Sequence, residues 1–280
     1  MWPWHRDYIV VAIFVSYYSA IVKQRIQKVL AAAGVASRRA VEGLVLEGRV
    51  AVNGQTVRRL PILIDPDVDQ VEVDGEDVRL RNSRKPESAP GGERVYVLLN
   101  KPKGVYCTNV AQGAQVRAID LLPAVIRQRV FPVGRLDADS KGLLLLTNDG
   151  DLTQHLTHPR YGVPKTYSAI IDGFLSPKEL EQLESGIWLG DRRGRGIKTA
   201  VAKVRVTKRL RDRSVLEITL REGKNREVRR MLADLGHKVR DLTRITMGPL
   251  SLDRLPIGKC RPLTPQELRA LRSITRKSEE

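Results

Sequence analysis

Residues 131–151 read FPVGRLDADSKGLLLLTNDGD. A polar turn, Gly134-Arg135-Leu136-Asp137-Ala138-Asp139-Ser140, separates two apolar runs. The second run, Leu143 to Leu146, is short, continuous and wholly apolar. Such a run fits a strand buried on both faces, or a strand leading into a buried helix; periodicity alone does not choose. Asn148-Asp149-Gly150 closes it with a turn signal. Asp137 is therefore expected in a loop packed between core segments. A charge there is either paired for structural reasons, with Arg135 as the local candidate, or used chemically.

Outward from this stretch the chain alternates strand and helix signals. Arg94 to Asn100 reads as a buried strand, Lys101-Pro102-Lys103-Gly104 as a turn, and Val105 to Thr108 as its return. Ile119 to Leu122 reads as a short helical or turn segment, and a helix is expected to end at His158-Pro159. Lys165 to Ile171 reads as a strand with Tyr167 near its start. A lone tyrosine in a strand is usually packing; the functional alternative is a ring that stacks on a base. Ser176-Pro177-Lys178-Glu179 is a capping box that opens a helix to about Ser185. Asp191 to Thr199 reads as a basic loop, and Thr199 to Lys208 and Ser214 to Leu220 as strands.

Glu222 to Met231, EGKNREVRRM, turns from strand into helix. Val228, Met231, Leu232 and Leu235 form an apolar stripe. Arg226, Arg229 and Arg230 fall on the opposite side, at the start of the helix, where they suit phosphate or carboxylate contacts; the alternative is a solvated basic face. Thr264-Pro265-Gln266-Glu267 opens a terminal helix. Few helices and several hairpin-like connections argue for an α+β class with a mostly antiparallel mixed sheet. There is no glycine-rich phosphate loop or dinucleotide fingerprint.

Upstream, Ile26, Val29, Leu30 and Ala33 have helical spacing and Gly34 supplies the stop. Ser37 can cap a second helix with Val41, Leu44 and Val45 inward. Val50-Ala51-Val52 leads into Asn53-Gly54, and Val71-Glu72-Val73 into Asp74-Gly75, two hairpin signals. Arg38 and Arg39 sit in the first turn of the second helix, where the dipole favours acids; that choice suggests phosphate binding. Arg25, Lys28 and Arg49 extend the basic set. Residues 82–92, NSRKPESAPGG, read as a linker.

The chain carries 49 Lys and Arg against 32 Asp and Glu, a net charge of +17. That excess points to a polyanion, nucleic acid or an acidic membrane surface. Aromatics at 5% exclude broad base-stacking platforms. Two cysteines, Cys107 and Cys260, give no disulfide framework and no zinc spacing, which fits a reducing cytoplasm. His155 and His158 lack a third ligand, so no metal site is expected. Tyr8 to Val22 is apolar except for Ser16 and Ser19 but shorter than the roughly 20 residues of a spanning helix. It fits a weak membrane-associating segment, a poor export signal or, preferred, an extension from a misplaced start codon.

Residues 23–81 resemble the small RNA-binding domain named after ribosomal protein S-four, through Arg25 to Leu30, Gly34 to Arg39, Gly48-Arg49-Val50 and Val52-Asn53-Gly54. Three further segments together resemble the RsuA/RluB/RluE/RluF family of ribosomal RNA pseudouridine synthases, nearest its RluB-like branch. They are Gly134 to Asp137 with Gly142 to Gly150, Lys165-Thr166-Tyr167, and Glu222 to Met231. The resemblance implies a pseudouridine synthase catalytic domain over residues 93–275, followed by a tail at 276–280. It implies that Asp137 is the nucleophile on a flipped-out uridine, that Tyr167 stacks on the base, and that Arg229 pairs with Asp137. Arg135, Leu136 and Val228 would support the loop and base pocket. RNA contacts are expected from Arg25, Lys28, Arg38, Arg39, Arg49, Lys165, Lys224, Arg226 and Arg230. The expected partner is ribosomal RNA, large-subunit rather than small-subunit, or a pre-ribosomal particle. The expected protein is a cytoplasmic monomer without metal or cofactor. A non-catalytic ribosome-assembly protein is the competing class.

Overall fold

The computed structural model describes residues 23–80, 94–126, 128–190, 196–199 and 202–276. The apolar extension at 1–22, the linker at 82–92 and much of the basic loop after Asp191 lie outside the described residues. The chain forms two compact units, Met1–Gly92 and Glu93–Glu280.

In the first unit a two-residue strand β1 (Gln24–Arg25) leads into α1 (Ile26–Ala32) and α2 (Arg38–Leu46). Ser37 caps α2, its Oγ accepting from Ala40 N at 3.2 Å. Four strands follow in close succession, β2 (Val50–Val52), β3 (Gln55–Val57), β4 (Leu63–Ile64) and β5 (Val71–Val73), and then β6 (Glu76–Asp77). The two hairpins turn where the sequence signals them: Asn53 and Gly54, and Asp74 and Gly75, all have positive φ. The antiparallel order is β3-β2-β5-β6, with β4 on β1. Ile26, Leu30, Val41, Val45, Val50, Ile64 and Val71 make the core.

The second unit is built on one nine-stranded sheet. Its strands are β7 (Tyr96–Lys101), β8 (Phe131–Pro132), β9 (Lys141–Thr147), β10 (Lys165–Asp172), β13 (Lys203–Arg209), β14 (Arg213–Leu220), β15 (Val239–Met247), β16 (Leu250–Ser251) and β17 (Cys260–Pro262); β11 (Trp188–Gly190) and β12 (Gly196–Lys198) make a separate hairpin. The order is β13-β14-β10-β15-β9-β7-β17, with β8 against β9 and β16 against β15. Every pair but one is antiparallel; β15 and β9 run parallel. Helices α3 (Gly150–Thr157), α4 (Pro177–Ser185), α5 (Glu227–Asp234) and α6 (Pro265–Arg276) pack around it.

The Leu143–Leu146 run is strand β9, buried on both faces. Leu143 and Leu145 face Leu152 and Leu156 of α3 and Leu271 of α6. Leu144 and Leu146 face Leu99, Val105, Val130 and Leu136. Each fully buried leucine contributes about 2 kcal/mol relative to exposure, so this strand is the rigid backing of the loop before it. One expectation fails, and one strand was not anticipated. Val105 to Thr108 does not return as a strand; only an isolated bridge joins Tyr106 to Arg117. Strand β15, at the sheet centre, gave no strand signal in the sequence.

Candidate active site

The Gly134–Ser140 loop is held from three sides. Leu136 is 6% exposed and packs in the cluster around Leu99 and Leu144. Its N–H donates to Cys107 Sγ at 3.3 Å. Gly104 N donates to Ala138 O at 2.7 Å, tying the loop to the Lys101–Gly104 turn. The Asp137 carboxylate, 35% exposed, is left on the surface of this fixed loop.

The start of α5 supplies its cations. Arg226, the N-cap residue, has φ +50° and ψ 33°, a left-handed conformation that non-glycine residues rarely adopt. That strained geometry turns its guanidinium toward the loop. Nη1 lies 3.6 Å from Asp137 Oδ2, and the same fork donates to Asp139 Oδ1 and Oδ2 at 3.2 and 3.1 Å. Arg229, expected opposite Asp137, is placed otherwise. Its Nη1 donates to Val239 O and its Nη2 to Asp139 O, both at 3.1 Å, and its Nε makes a charge contact with Asp139 Oδ2 at 3.4 Å. The reason is reach: Arg229 sits one turn into α5, where it clamps the loop backbone to β15. Arg226 is the arginine nearest the Asp137 carboxylate. Burial alone would raise the Asp139 carboxyl, but hydrogen bonds from Arg226 and the charges of Arg229 and Arg226 outweigh it and hold it below the usual range.

Tyr167 joins the two halves. It packs against the cluster containing Val228, Met231 and Ile218 and against the cluster containing Leu136. A register irregularity between Thr166 and Tyr167 sets its direction. Across the sheet, Tyr167 stands opposite Arg244, Arg244 opposite Gly142, and Gly142 opposite Lys101. Directly opposed residues share a face, so Lys101 and Arg244 lie on the face that carries Tyr167. Both are buried, at 0% and 2% exposure. Lys101 Nζ donates to Pro102 O and Val105 O at 2.9 and 2.8 Å, and Arg244 Nε to Leu143 O at 2.8 Å. Burial pulls the Lys101 ammonium below its ordinary pKa, opposed by Cys107 and by the carboxylate charges of Asp139 and Asp137. The sequence reading missed Lys101, Cys107, Asp139 and Arg244. Only Lys101 left a signal, a cation ending an apolar strand.

The remaining expected residues divide by burial. Lys165 points inward and is not a phosphate contact: it is 7% exposed, and its ammonium donates to Val163 O at 2.9 Å. Burial, with the Arg244 charge, brings its pKa down to about 8. Lys224 Nζ bonds Glu222 Oε1 and Lys198 O, both at 2.9 Å, and Arg230 bonds the Gly190 carbonyl. Glu227 is buried; burial and the neighbouring Glu222 push its carboxyl up to about 8, so it is mostly protonated at neutral pH. Arg135 is exposed, as are Arg25, Arg38 and Arg39 in the first unit, and Lys28 is half-buried. Arg49 is exposed but engaged, with Nε and Nη2 on Asp74 at 2.7 and 2.6 Å. Among the described residues, no group of three His, Cys, Asp or Glu side chains could hold a metal ion.

Two accessible carboxylates, Asp137 and Asp139, on a fixed loop, a half-buried tyrosine packed against the cluster that holds Leu136, and the arginines at the start of α5 make up the candidate site. Comparison with known proteins gives the family. The RNA pseudouridylate synthase family model matches residues 95–234, and the S4 domain model matches residues 24–60. The chain is 43% identical over 256 residues to "Ribosomal large subunit pseudouridine synthase B" of Bacillus subtilis (strain 168), covering 90% of this chain and 96% of that one. It is 42% identical to an RNA pseudouridine synthase of Aquifex aeolicus (strain VF5), covering 90% and 94%. A crystal structure of a pseudouridylate synthase superposes with a TM-score of 0.60 at 28% identity, covering 88% of this chain and 99% of that one. The chain belongs to the RNA pseudouridylate synthase family and is a pseudouridine synthase.

Proposed function

We propose that this enzyme converts one uridine of large-subunit ribosomal RNA to pseudouridine, with Asp137 as the nucleophile. The observation that carries this is the Asp137 carboxylate, held by a fixed loop within 3.6 Å of an arginine and left open to solvent. The Bacillus subtilis relative, similar along nearly its whole length, supports the large-subunit assignment. A carboxylate nucleophile must be ionised and oriented; the Arg226 fork favours both, since guanidinium keeps its charge in proteins. The base leaves its stack to react, and a ring replaces the lost stacking; Tyr167 is that ring.

The reaction is balanced within the substrate. The bond from the sugar carbon to uracil N1 breaks, the base turns, and a bond forms to C5. N1 gains a proton and C5 loses one, so no electron or group donor is consumed. Asp137 bonds to the substrate at the sugar carbon or on the base, and that bond breaks before the product leaves, which returns the free carboxylate.

Asp137→Asn is expected to lower isomerisation on the order of 10³-fold or more, with rRNA affinity little changed because phosphate contacts dominate it. Tritium release from C5-labelled uridine in rRNA measures the first and filter binding the second. A fully active Asn variant would overturn the nucleophile assignment.

A further inference from the structure

Among the described residues of the second unit, core clusters pack on only one face of the half-sheet made by β13, β14, β10 and β15. Along β14, Ser214, Leu216, Ile218 and Leu220 are buried, whereas Val215, Glu217 and Thr219 between them are not. The second set forms continuous rows. Arg205 stands opposite Glu217, Glu217 opposite Ser168, Ser168 opposite Thr243, and Thr243 opposite Lys141. The flanking row runs Lys203, Thr219, Thr166 and Thr246. Val215 and Ile170 on this face belong to no core cluster of the described residues. The face is thus open, rich in hydroxyls and edged by cations.

The edge strand is shaped for this. A register shift in β13 leaves Thr207 as an extra residue between Val206 and Lys208. Strand side chains alternate faces, so without the insertion Lys208 would point at the core. With it, Lys208 stands opposite Val215 and joins Lys203 and Arg205 on the open face. Three cations therefore line about 15 Å of strand edge. Arg205 bonds Glu217 at 2.7 Å, but among the described residues neither Lys203 nor Lys208 bonds a carboxylate. At the other border Lys103 and Lys141 hold Asp241 at 2.6 and 2.9 Å. With Arg213 and Arg240, which hold Asp172 at the end of the same face, seven cations face three carboxylates. A single lysine suffices to protect an edge strand from pairing; this excess, with Lys208 brought to the same face by a bulge, calls for an anionic partner.

We propose that this open face is a second RNA-docking surface, which takes the sugar–phosphate backbone of a duplex arm of the RNA that delivers its uridine to Asp137. It rests on the reading of RNA as substrate. Lysine, arginine, serine and threonine are the side chains that contact phosphate and sugar, and duplex RNA is read mainly by shape and backbone. A protein partner would need an aromatic or large apolar anchor at its centre, and this face offers only the half-buried Val215 and Ile170 among its hydroxyls and charges. Tyr167 lies on the opposite face, so the RNA passes around the β13 edge. The sheet then separates the held arm from the extruded nucleotide.

Acylation of lysines by an N-hydroxysuccinimide ester, read by mass spectrometry on the full chain with and without transcribed large-subunit rRNA, tests this. Lys203 and Lys208 are expected to react in the free protein and to be shielded by the RNA. The double variant Lys203→Ala, Lys208→Ala is expected to raise the Kd about tenfold and to flatten the salt slope by about 2. Lysines unreactive before RNA is added, because the first unit or a second copy covers the face, would overturn the docking surface. So would lysines that stay open in the complex. C5 tritium release in the same samples separates the two readings: release with open lysines removes the docking surface alone, and shielding without release on any rRNA removes the enzymatic reading.

Discussion

Two buried residues beside the site titrate in opposite senses, and their signs make a prediction. Glu227 has its carboxyl raised from 4.5 to about 8, chiefly by burial and then by Glu222. The native state binds that proton more tightly than the unfolded chain, so stability falls as pH rises from 4.5 through 8 and is level above. Lys165 has its ammonium lowered from 10.5 to about 8, by burial and then by Arg244. Between 8 and 10.5 the unfolded chain holds a proton that the native state has released, so stability rises with pH there. Together they predict a minimum in stability near pH 8. Urea midpoints across this range check it: Glu227→Gln should remove the descending limb and Lys165→Met the ascending one. A descent that survives in Glu227→Gln would assign it elsewhere. At this scale the sequence was partly readable. The loop that carries Asp137 and the strand that carries Tyr167 are legible in their sequence patterns, but charge pairing is a matter of reach in three dimensions. Asp139 takes both Arg226 and Arg229, the first from an N-cap with a left-handed backbone, and nothing in the string GKNREVRR encodes that turn.

Among the elements, β9 carries the most constraint. Gly142 has φ +107°, and a Cβ there would lie 2.3 Å from Arg244 O and 2.8 Å from Arg244 N. Both contacts are to the backbone of β15, at its one parallel pairing with β9, so no flexible side chain can yield. Gly142→Ala should therefore destabilise the second unit by at least about 3 kcal/mol, combining backbone strain with overpacking. Chemical denaturation followed by tryptophan fluorescence measures it; a loss under about 1 kcal/mol would mean that the two strands can part there. The elements read correctly from sequence are those with local signals. The run Leu143–Leu146 is continuous, Ser176 and Glu179 form the capping box of α4, and Asn53-Gly54 makes its hairpin. Strand β15 escaped because its buried positions include Arg244 between Leu242 and Met247, and its outward ones include Arg240 and Asp241. Its stability comes from β10 and β9 on either side, partners some 70 to 100 residues away in the chain.

Across the molecule the net charge of +17 is spent unevenly. Many cations are already engaged within the protein, as Arg49 is by Asp74 and Glu47, Lys165 by a carbonyl, and Arg226 and Arg229 by Asp139. RNA affinity must come from those that are exposed and, among the described residues, without such partners. In the first unit these include Arg38 and Arg39, in the first turn of α2, where the exposed side chains oppose the helix dipole and the free N–H groups favour an anion. The variant Arg38→Ala, Arg39→Ala should weaken rRNA binding about tenfold at physiological salt and lower the slope of log affinity against log salt by about 2. Its fold should persist, because neither side chain enters the core around Ile26, Val41 and Val50. Arg49→Ala is the control: it should lower the urea midpoint of the first unit through loss of the Asp74 pair and leave the salt slope nearly unchanged. Titrations at four or more salt concentrations distinguish the two. Equal slopes for the wild type and the Arg38, Arg39 variant would remove α2 from the RNA contact surface, whereas a slope lowered by Arg49→Ala would show that its ion pair opens to take a phosphate.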